Sequence, residues 1–262
     1  MLEKMSPHVA LTIAGSDNSA GAGAQADLKT FSALGVYGLT AITCIVAEIP
    51  GKVSAIQGID AELVAEQIRL SFEAFPVAAV KTGLLHDSAI IETVCDALAG
   101  RAATLVVDPV MIASSGDRLL REDAVALYKK RLFKQAALVT PNLDEARVLL
   151  GREVGTLEQM RDAARELAEN YGGAWLLKGG HLRDGQAVDV LFHRAELIEF
   201  ASPTVRGMQT HGTGCTFSAA ITAGLASGND LRGSIAEAKR FVTRAIERHF
   251  RWAGTHALNH NA

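Results

Sequence analysis

The chain has 262 residues, 48% of them hydrophobic and 21% charged, as expected of a globular protein with one large core. Its formal net charge of −3 argues against a nucleic-acid or membrane-surface partner, because both attract basic proteins. The cysteines Cys44, Cys95 and Cys215 are widely spaced without a CxxC pair, so they indicate neither a disulfide framework nor a zinc site. No apolar run resembles a signal peptide or a membrane span, and we therefore expect a cytoplasmic protein.

Apolar runs of strand length alternate along the chain with amphipathic stretches of helical length. The predicted strands are Val9–Ala14, Leu39–Val46, Ala78–Lys81, Thr104–Val107, Ala137–Val139 and Ala174–Leu177. The predicted helices are Asp60–Phe75, Ser88–Leu98, Glu122–Leu132, Leu157–Tyr171 and Leu231–Phe250. This alternation predicts a mainly parallel sheet with helices on both faces and ligands at the carboxyl ends of the strands.

Two later segments depart from this rhythm. Residues Ala187–Ala201 have the pattern of two short strands, which predicts a small antiparallel edge. Residues 253–262 are predicted to form a flexible tail. His256 and His260 of this tail have no carboxylate or cysteine beside them, which disfavours a metal site. No linker or repeat divides the chain, so residues 1–262 are predicted to form a single domain.

Polar residues follow the first predicted strand. We interpret Gly15 as the floor of a substrate pocket, and Asp27, in the first turn of the next helix, as a carboxylate offered to a polar ligand. The alternative is that Asp27 only complements the helix dipole. The spacing Gly21-x-Gly23-x-x-Ala26 lies too far beyond the strand to favour a dinucleotide site.

Acids follow two later strands. Asp108 comes directly after Thr104–Val107, and Asn142 and Glu145 follow Ala137–Val139. Helix capping explains Asn142 and Glu145 by itself. Together with the glycine-rich turn described below, however, the acids favour magnesium, which binds few protein oxygens and keeps water and phosphate ligands. Asp108 and Glu145 are the predicted metal ligands.

Two lysines also stand at predicted strand ends. Lys178 precedes a pair of glycines, and Lys81 precedes Thr82 and Gly83. An ammonium at either place can meet a triphosphate as a point charge. The alternative is a solvated lysine at the surface.

The most informative segment is the glycine-rich turn Thr210–Ala220, which leads into a helix. Gly212 and Gly214 allow successive backbone N–H groups to point at one anion, and the helix N-terminus adds unpaired donors. Cys215 stands at the junction, where the same field is expected to lower its thiol pKa. The alternative is a packing turn in which Cys215 is a small apolar residue.

These motifs occur in an order that resembles the hydroxymethylpyrimidine and phosphomethylpyrimidine kinases of the ribokinase-like superfamily. The resemblance extends from Val9 to about Ala245. It rests on Ala14-Gly15-Ser16-Asp17, Gln25-Ala26-Asp27-Leu28-Lys29-Thr30, Phe31-Ser32-Ala33-Leu34-Gly35, Asp108-Pro109-Val110-Met111, Thr140-Pro141-Asn142-Leu143-Asp144-Glu145-Ala146, Lys178-Gly179-Gly180-His181 and Thr210-His211-Gly212-Thr213-Gly214-Cys215.

The resemblance implies a three-layer α/β/α sandwich, a homodimer, and ATP- and Mg²⁺-dependent phosphorylation of a hydroxymethylpyrimidine and then of its monophosphate, giving the pyrophosphate used for thiamine. It implies that Gly212, Thr213, Gly214 and Cys215 form the catalytic anion hole. The implied pyrimidine pocket consists of Gly15, Asp27, Val46, Glu48 and Leu84. The implied nucleotide and phosphate contacts are Lys178, Asn142, Thr210 and His211, with Glu145 beside the metal.

Cys215 stands where related sugar kinases have aspartate. Because phosphoryl transfer depends mainly on positioning and charge stabilisation, a strong base is not essential. When the acceptor is itself an anionic phosphate, a neutral thiol avoids the repulsion that a carboxylate would cause.

Glu48 is the largest departure from the family pattern, which usually has glutamine at this position. An amide accepts and donates hydrogen bonds, whereas an ionised Glu48 only accepts. Either the ring nitrogen is protonated and forms a charge-assisted pair, or the substrate range differs. Our hypothesis is that Glu48 weakens use of the free alcohol and leaves monophosphate phosphorylation as the main activity. Leu84, where methionine is common, is a milder change.

Two other functions stay open at this stage. Glu48 leaves room for a pyridoxal or pyridoxine kinase of the same superfamily, because that ring also carries a hydroxymethyl group. A domain that only senses a pyrimidine phosphate is the alternative outside enzymes. It is disfavoured because Asn142, Glu145, Lys178 and the turn through Cys215 are all retained.

Overall fold

A computed structural model describes residues 6–111, 122–180, 186–205 and 211–262. The strands are β1 Val9–Ala14, β2 Tyr37–Ile42, β3 Cys44–Ile49, β4 Lys52–Gly58, β5 Val77–Thr82, β6 Thr104–Val107, β7 Leu138–Val139, β8 Ala174–Gly179, β9 Gln186–His193, β10 Glu196–Pro203, β11 Phe250–Trp252 and β12 Thr255–Ala257. The helices are α1 Gly23–Ala33, α2 Ala61–Ala74, α3 Ser88–Leu98, α4 Glu122–Leu127, α5 Leu143–Leu150, α6 Leu157–Tyr171, α7 Thr213–Ala226 and α8 Leu231–Glu247.

The central sheet has the order β10-β9-β8-β7-β6-β5-β1-β2. Strands from β8 to β2 pair in parallel, whereas β9 and β10 pair antiparallel. This confirms the predicted parallel sheet and its antiparallel edge. The chain steps from β1 to β2 on one side and later continues through β5 on the other, so the strand order reverses beside β1. Ligands of open α/β sheets bind in the crevice at such a reversal.

Alternate residues of the strands face opposite layers of helices. On β1, Leu11 and Ile13 join a core with helices α2, α3, α4 and α6, while Ala10 packs with α1 and α7. The period of two along a strand produces this division. Helix α7 is buried along most of its length, and its N-terminus lies at the carboxyl edge of the sheet. No helix among the described ranges is long and apolar enough to cross a membrane.

One predicted strand is wrong. Leu39–Val46 is split at Thr43, whose backbone N–H bonds to Ala14 O at 3.1 Å and whose hydroxyl donates to Leu84 O at 2.6 Å. These contacts turn the chain out of the central sheet and into the antiparallel hairpin β3–β4, in which β4 was not predicted. A register shift between Ala47 and Glu48 interrupts the hairpin.

The C-terminal residues form ordered structure, contrary to the expected flexible tail. Strands β11 and β12 pair as a hairpin, and the residues after them return to the core. Leu258 is buried, Asn259 N–H bonds to Ala245 O at 3.1 Å, and His260 Nε2 lies 3.1 Å from Thr216 Oγ1 on α7. The tail is held by contacts with helices far away in the sequence, which composition alone does not reveal.

Buried His260 makes stability depend on pH. Burial, together with Lys29, lowers the pKa of His260 from 6.5 to about 4. At mildly acid pH, His260 therefore binds a proton in the unfolded chain but not in the folded one, which favours unfolding. The contribution of neutral His260 to the free energy of unfolding is complete above pH 6.5 and is lost as the pH falls towards 4. We expect His260→Gln to lose less stability than the wild type between pH 7 and pH 5 in urea unfolding. Exposed His8→Gln is the control, and equal pH slopes for the His260 variant and wild type would contradict the assignment.

Candidate active site

A cavity of about 780 Å³ runs along the carboxyl edge of the sheet, beside the reversal at β1. Its walls come from the β1–α1 loop, the β3–β4 hairpin, the end of β5, the first turn of α5 and the N-terminus of α7. The volume suits a small organic ligand together with part of a nucleotide. One end is lined by hairpin residues and the other by residues of α8.

The N-terminus of α7 opens into this cavity. Gly212 caps the helix with φ +77°, and no side chain caps it. The first hydrogen bond of the helix runs from Thr216 N–H to Gly212 O, so the backbone N–H groups of Thr213 to Cys215 have no acceptor within the helix. The Thr213 hydroxyl has no hydrogen-bond partner among the described residues. Unpaired donors and the positive end of the helix dipole together form an anion site. Thr210 lies outside the described residues.

Gly212 is required by close packing. A Cβ on Gly212 would stand 1.7 Å from Gly21 O, so the glycine-rich turn lies directly against the β1–α1 loop. The same two loops are joined through His211, whose Nε2 lies 3.0 Å from Asp17 Oδ2. From the sequence we expect His211 to contact the nucleotide. The structure shows in addition that its side chain bonds Asp17 and so anchors the two loops.

Asp17 belongs to a group of three possible metal ligands with Glu48 and His211, whose ligand atoms lie within 4.8 Å of one another. Asp17 already accepts hydrogen bonds from the backbone N–H groups of Ser19, Gly21 and Ala22. Burial raises the pKa of Asp17, but the hydrogen bonds from His211, Ser19 and Ala22 outweigh it and lower the pKa well below the usual range. Asp17 and His211 therefore form a charged anchor between the two loops.

The pKa of Cys215 is shifted in the opposite direction to the one expected. Burial raises the pKa of Cys215 to about 11, with Asp108 and Asp27 adding to the shift while Lys81 and the Gly23 backbone oppose it. The prediction of a lowered pKa is wrong, because desolvation and two nearby carboxylates outweigh the helix dipole. At neutral pH Cys215 is a thiol that adds no negative charge to the anion site.

Lys178 reaches the anion site from β8. Its Nζ lies 2.7 Å from Asp108 Oδ1, and a Cβ on Gly214 would stand 3.2 Å from Nζ. Asp108 also accepts from Ser218 at 3.0 Å and from Thr140 at 3.3 Å. Oδ1 thus accepts two hydrogen bonds and Oδ2 one, and the carboxylate orients Lys178. The role of Asp108 as a magnesium ligand stays a prediction.

Asn142 and Glu145 form a capping box at the start of α5, as the capping alternative predicted. Asn142 Oδ1 accepts from Glu145 N–H and Glu145 Oε2 accepts from Asn142 N–H, both at 2.8 Å. Glu145 is nevertheless buried in the cavity wall. Burial raises its pKa to about 8; Asp108 adds to the shift, which Lys178 only partly offsets. Lys178 therefore compensates the charge of an ionised Glu145 only in part.

The other end of the cavity contains most of the predicted ring-binding residues. Gly15, Val46, Glu48 and Leu84 line it. A Cβ on Gly15 would stand 2.6 Å from Cys44 Sγ, so only glycine fits there. Asp27, in contrast, is fully buried behind this wall.

Asp27 forms an ion pair with Lys81, which neither interpretation of Asp27 from the sequence included. Its Oδ2 lies 2.8 Å from Lys81 Nζ and accepts from Thr12 Oγ1 at 2.6 Å. Lys81 is fully buried, which excludes the solvated alternative. The signal available in the sequence was the position of Lys81 at a strand end before a glycine, the same signal that identified Lys178.

The close packing at Gly212 can be tested by adding one methyl group. We expect Gly212→Ala to weaken binding of a non-hydrolysable ATP analogue at least tenfold in calorimetry, because the Cβ displaces the anion-binding turn. Gly228→Ala is the matched control, since Gly228 has φ +85° and open space around it. Both variants carry the backbone strain of a left-handed alanine, about 1–2 kcal/mol. Equal affinity in the two variants would contradict the importance of the contact.

Comparison with known proteins places this geometry in a family. Residues 17–259 match the family described as phosphomethylpyrimidine kinase. A hydroxymethylpyrimidine/phosphomethylpyrimidine kinase of Rhizobium meliloti is 44% identical over 239 residues, which are 91% of this chain and 90% of the relative. A bifunctional thiamine biosynthesis protein of Geobacter sulfurreducens is 46% identical over 237 residues, 90% of this chain, which spans about half (48%) of that relative. An ADP complex of Bacillus subtilis pyridoxal kinase is 37% identical with a TM-score of 0.90, covering 98% of both chains.

The predicted ribokinase-like architecture is thereby confirmed. The kinases among these relatives are phosphotransferases, and the site described above has the anion-binding helix terminus and the lysine that such chemistry uses. The chain belongs to the phosphomethylpyrimidine kinase family.

Proposed function

We propose that the protein transfers the γ-phosphoryl group of ATP to hydroxymethylpyrimidine phosphate, and less efficiently to free hydroxymethylpyrimidine, giving the pyrophosphate used to build thiamine. The observation that carries this proposal is the uncapped N-terminus of α7, which lies beside Lys178 and opens into the same cavity as Gly15, Glu48 and Leu84. A phosphoryl group held there would face a nucleotide on one side and an acceptor on the other.

The site supplies positioning and charge rather than covalent chemistry. During transfer the bond from phosphorus to the bridging oxygen of ATP breaks, and a bond to an acceptor oxygen forms. The backbone N–H groups of Thr213 to Cys215 and the ammonium of Lys178 stabilise the equatorial oxygens of the group in transfer. When the acceptor is a phosphate oxygen, no proton must be removed, and neutral Cys215 leaves the anion hole free of like charge.

We propose that Glu145 helps to hold Mg²⁺ with the nucleotide phosphates. Asp108 and Glu145 are two buried carboxylates beside Lys178, and burial together with the charge of Asp108 raises the pKa of Glu145. A divalent cation fits such a site and supplies charge neutralisation to the phosphates when bound. Asn142, which caps the same helix at the cavity wall, would orient the phosphate side.

Glu48 supports the hypothesis of altered selectivity at the ring end. Its side chain is half-buried in the cavity wall, and Asn18 Oδ1 accepts from its backbone N–H at 2.7 Å. Burial and the neighbouring charge of Asp17 raise the pKa of Glu48, while His211 opposes the shift. A protonated carboxyl donates and accepts as an amide does, but the proton must be taken up from solution. We propose that this cost falls mainly on the free alcohol, which lacks phosphate contacts to offset it.

A second candidate function is phosphorylation of pyridoxal or pyridoxine. The observation that favours it is the similarity over nearly the whole chain to a solved pyridoxal kinase. Glu48 would then accept from a hydroxyl of the ring instead of pairing with a ring nitrogen.

We also propose that the protein is a cytoplasmic homodimer. An exposed apolar surface at the β2 edge of the sheet supports the dimer. Tyr37 and Phe75 stack there with ring centroids 5.7 Å apart, and Leu63 and Leu70 on α2 are about half exposed. Exposed apolar surface of this kind is typical of protein interfaces.

The function is tested by measuring ADP release with each acceptor. We expect the highest kcat/KM with hydroxymethylpyrimidine phosphate, a lower value with the free alcohol and little activity with pyridoxal. Glu48→Gln should raise kcat/KM for the alcohol by about tenfold and change the monophosphate value less, because the amide restores the donor without proton uptake. Unchanged selectivity would remove the role of Glu48. A preference for pyridoxal would favour the second candidate, and no release with any acceptor would favour a sensing domain.

The metal role of Glu145 can be separated from its capping role. Glu145→Gln keeps an oxygen that can accept from Asn142 N–H but removes the charge. We expect the Mg²⁺ concentration for half-maximal ADP release to rise at least tenfold, with the thermal midpoint nearly unchanged. Glu153→Gln, an exposed acid whose side chain is 80% accessible, serves as the control. An unchanged Mg²⁺ requirement in Glu145→Gln would leave capping as its only role.

A further inference from the structure

Lys81 is a buried cation that the proposed function does not yet use. It stands on β5, two residues before Gly83, and its side chain is inaccessible to solvent. Its Nζ bonds to Asp27 Oδ2 at 2.8 Å. Although burial lowers the pKa of Lys81, Asp27, Cys215 and Asp108 raise it above its ordinary value, so the ammonium stays charged.

The hydrogen bonding of this pair is incomplete. An ammonium has three donors, and Asp27 is the only acceptor that Lys81 Nζ has within the described ranges. Asp27 Oδ1 has no partner there either. Buried charges with unmade hydrogen bonds are costly unless a ligand completes them. Two donors of Lys81 are therefore left without an acceptor among the described residues, and a bound molecule that reached them would satisfy them.

The space in front of Lys81 belongs to the cavity. Lys81 and Gly83 both line it, and a Cβ on Gly83 would stand 3.2 Å from Nζ. Glycine at position 83 thus keeps side-chain atoms away from the ammonium on the side of the cavity. Leu84 and Gly15, which line the ring end, are joined beside it by the hydrogen bond from Gly15 N–H to Leu84 O.

Lys81 and Lys178 stand on different sides of the anion hole. Lys178 approaches from β8, next to α5, whereas Lys81 approaches from β5, next to β1. The carboxylate of Asp108, at the end of β6 between these two strands, raises the pKa of both lysines. A phosphoryl group at the N-terminus of α7 would therefore have one ammonium towards the nucleotide and another towards the ring end of the cavity.

Resting on the proposed function, we propose that Lys81 is a catalytic residue that binds the accepting phosphate oxygen of the pyrimidine monophosphate and neutralises it as the new bond to phosphorus forms. An acceptor phosphate oxygen attacks the γ-phosphorus, the bond to the bridging oxygen of ATP breaks, and ADP leaves. Lys81 keeps its proton throughout. Its ammonium reduces the repulsion between two phosphate groups that approach each other, a task that a thiol at position 215 cannot perform.

The substitution Lys81→Met tests this role, because methionine keeps much of the length and loses the charge. We expect kcat/KM for the monophosphate to fall at least 100-fold and that for the free alcohol to fall less, since only the former acceptor is an anion. Affinity for a non-hydrolysable ATP analogue should change less than threefold, because Lys178 and α7 hold the nucleotide. Lys129→Met is the matched control, as Lys129 is a partly buried lysine that bonds only to Leu149 O in the described structure.

A double-mutant cycle separates catalysis from the ion pair with Asp27. Lys81→Met is also introduced into Asp27→Asn, where no buried carboxylate is left without its partner. A further loss of at least tenfold for the monophosphate in this background, in a protein that melts as Asp27→Asn does, supports a catalytic Lys81. Equal activity of Asp27→Asn with and without Lys81 overturns the proposal, as does an equal loss for both acceptors. A wild type that releases no ADP with either pyrimidine overturns the proposed function and this inference together.

Discussion

The site depends on a row of buried charges along the carboxyl edge of the sheet. Asp27, Lys81, Asp108, Lys178 and Glu145 come from α1, β5, the end of β6, β8 and α5. Removing one partner of a buried pair costs about 3–5 kcal/mol, because the other charge is left uncompensated. Each charge therefore fixes the position of its neighbour, and the row holds its elements in one arrangement around the cavity. Three carboxylates and two ammoniums leave this row with one more acidic group than basic groups.

Helix α7 brings the anion site to this row. Its small residues, including Ser218, Ala219 and Ala223, allow close packing against the sheet and α1. Gly212 then lets the first turn lie against the loop after β1. Burial at the helix terminus, with the carboxylates of Asp108 and Asp27 nearby, also keeps the Cys215 thiol protonated. Anion binding and a neutral thiol are thus two results of the same packing.

Local sequence signals predicted much of the framework. The bounds of β1, β6, α3 and α6 agree with the predicted ranges because apolar periodicity is set by the burial of each element. The β9–β10 edge was recognised from its turn at His193–Ala195 for the same reason. The errors fall where contacts across the chain decide: Thr43 leaves the sheet through its bond to Leu84 O, and His260 is buried against Thr216. Neither the exit of the chain at Thr43 nor the burial of His260 is marked by a glycine or proline beside the residue.

By itself, the sequence determined which chemical groups stand at the strand ends: the glycine-rich turn, the strand-end acids and the two lysines. Motif order and helical periodicity also determined the family resemblance and the α/β architecture. Only the tertiary structure decided what these groups do. It paired Asp108 with Lys178, closed Asp27 and Lys81 away from water and raised the pKa of Cys215. The physical reason is that charge state and hydrogen-bonding capacity depend on burial and on neighbours tens of residues away, which local sequence patterns do not contain.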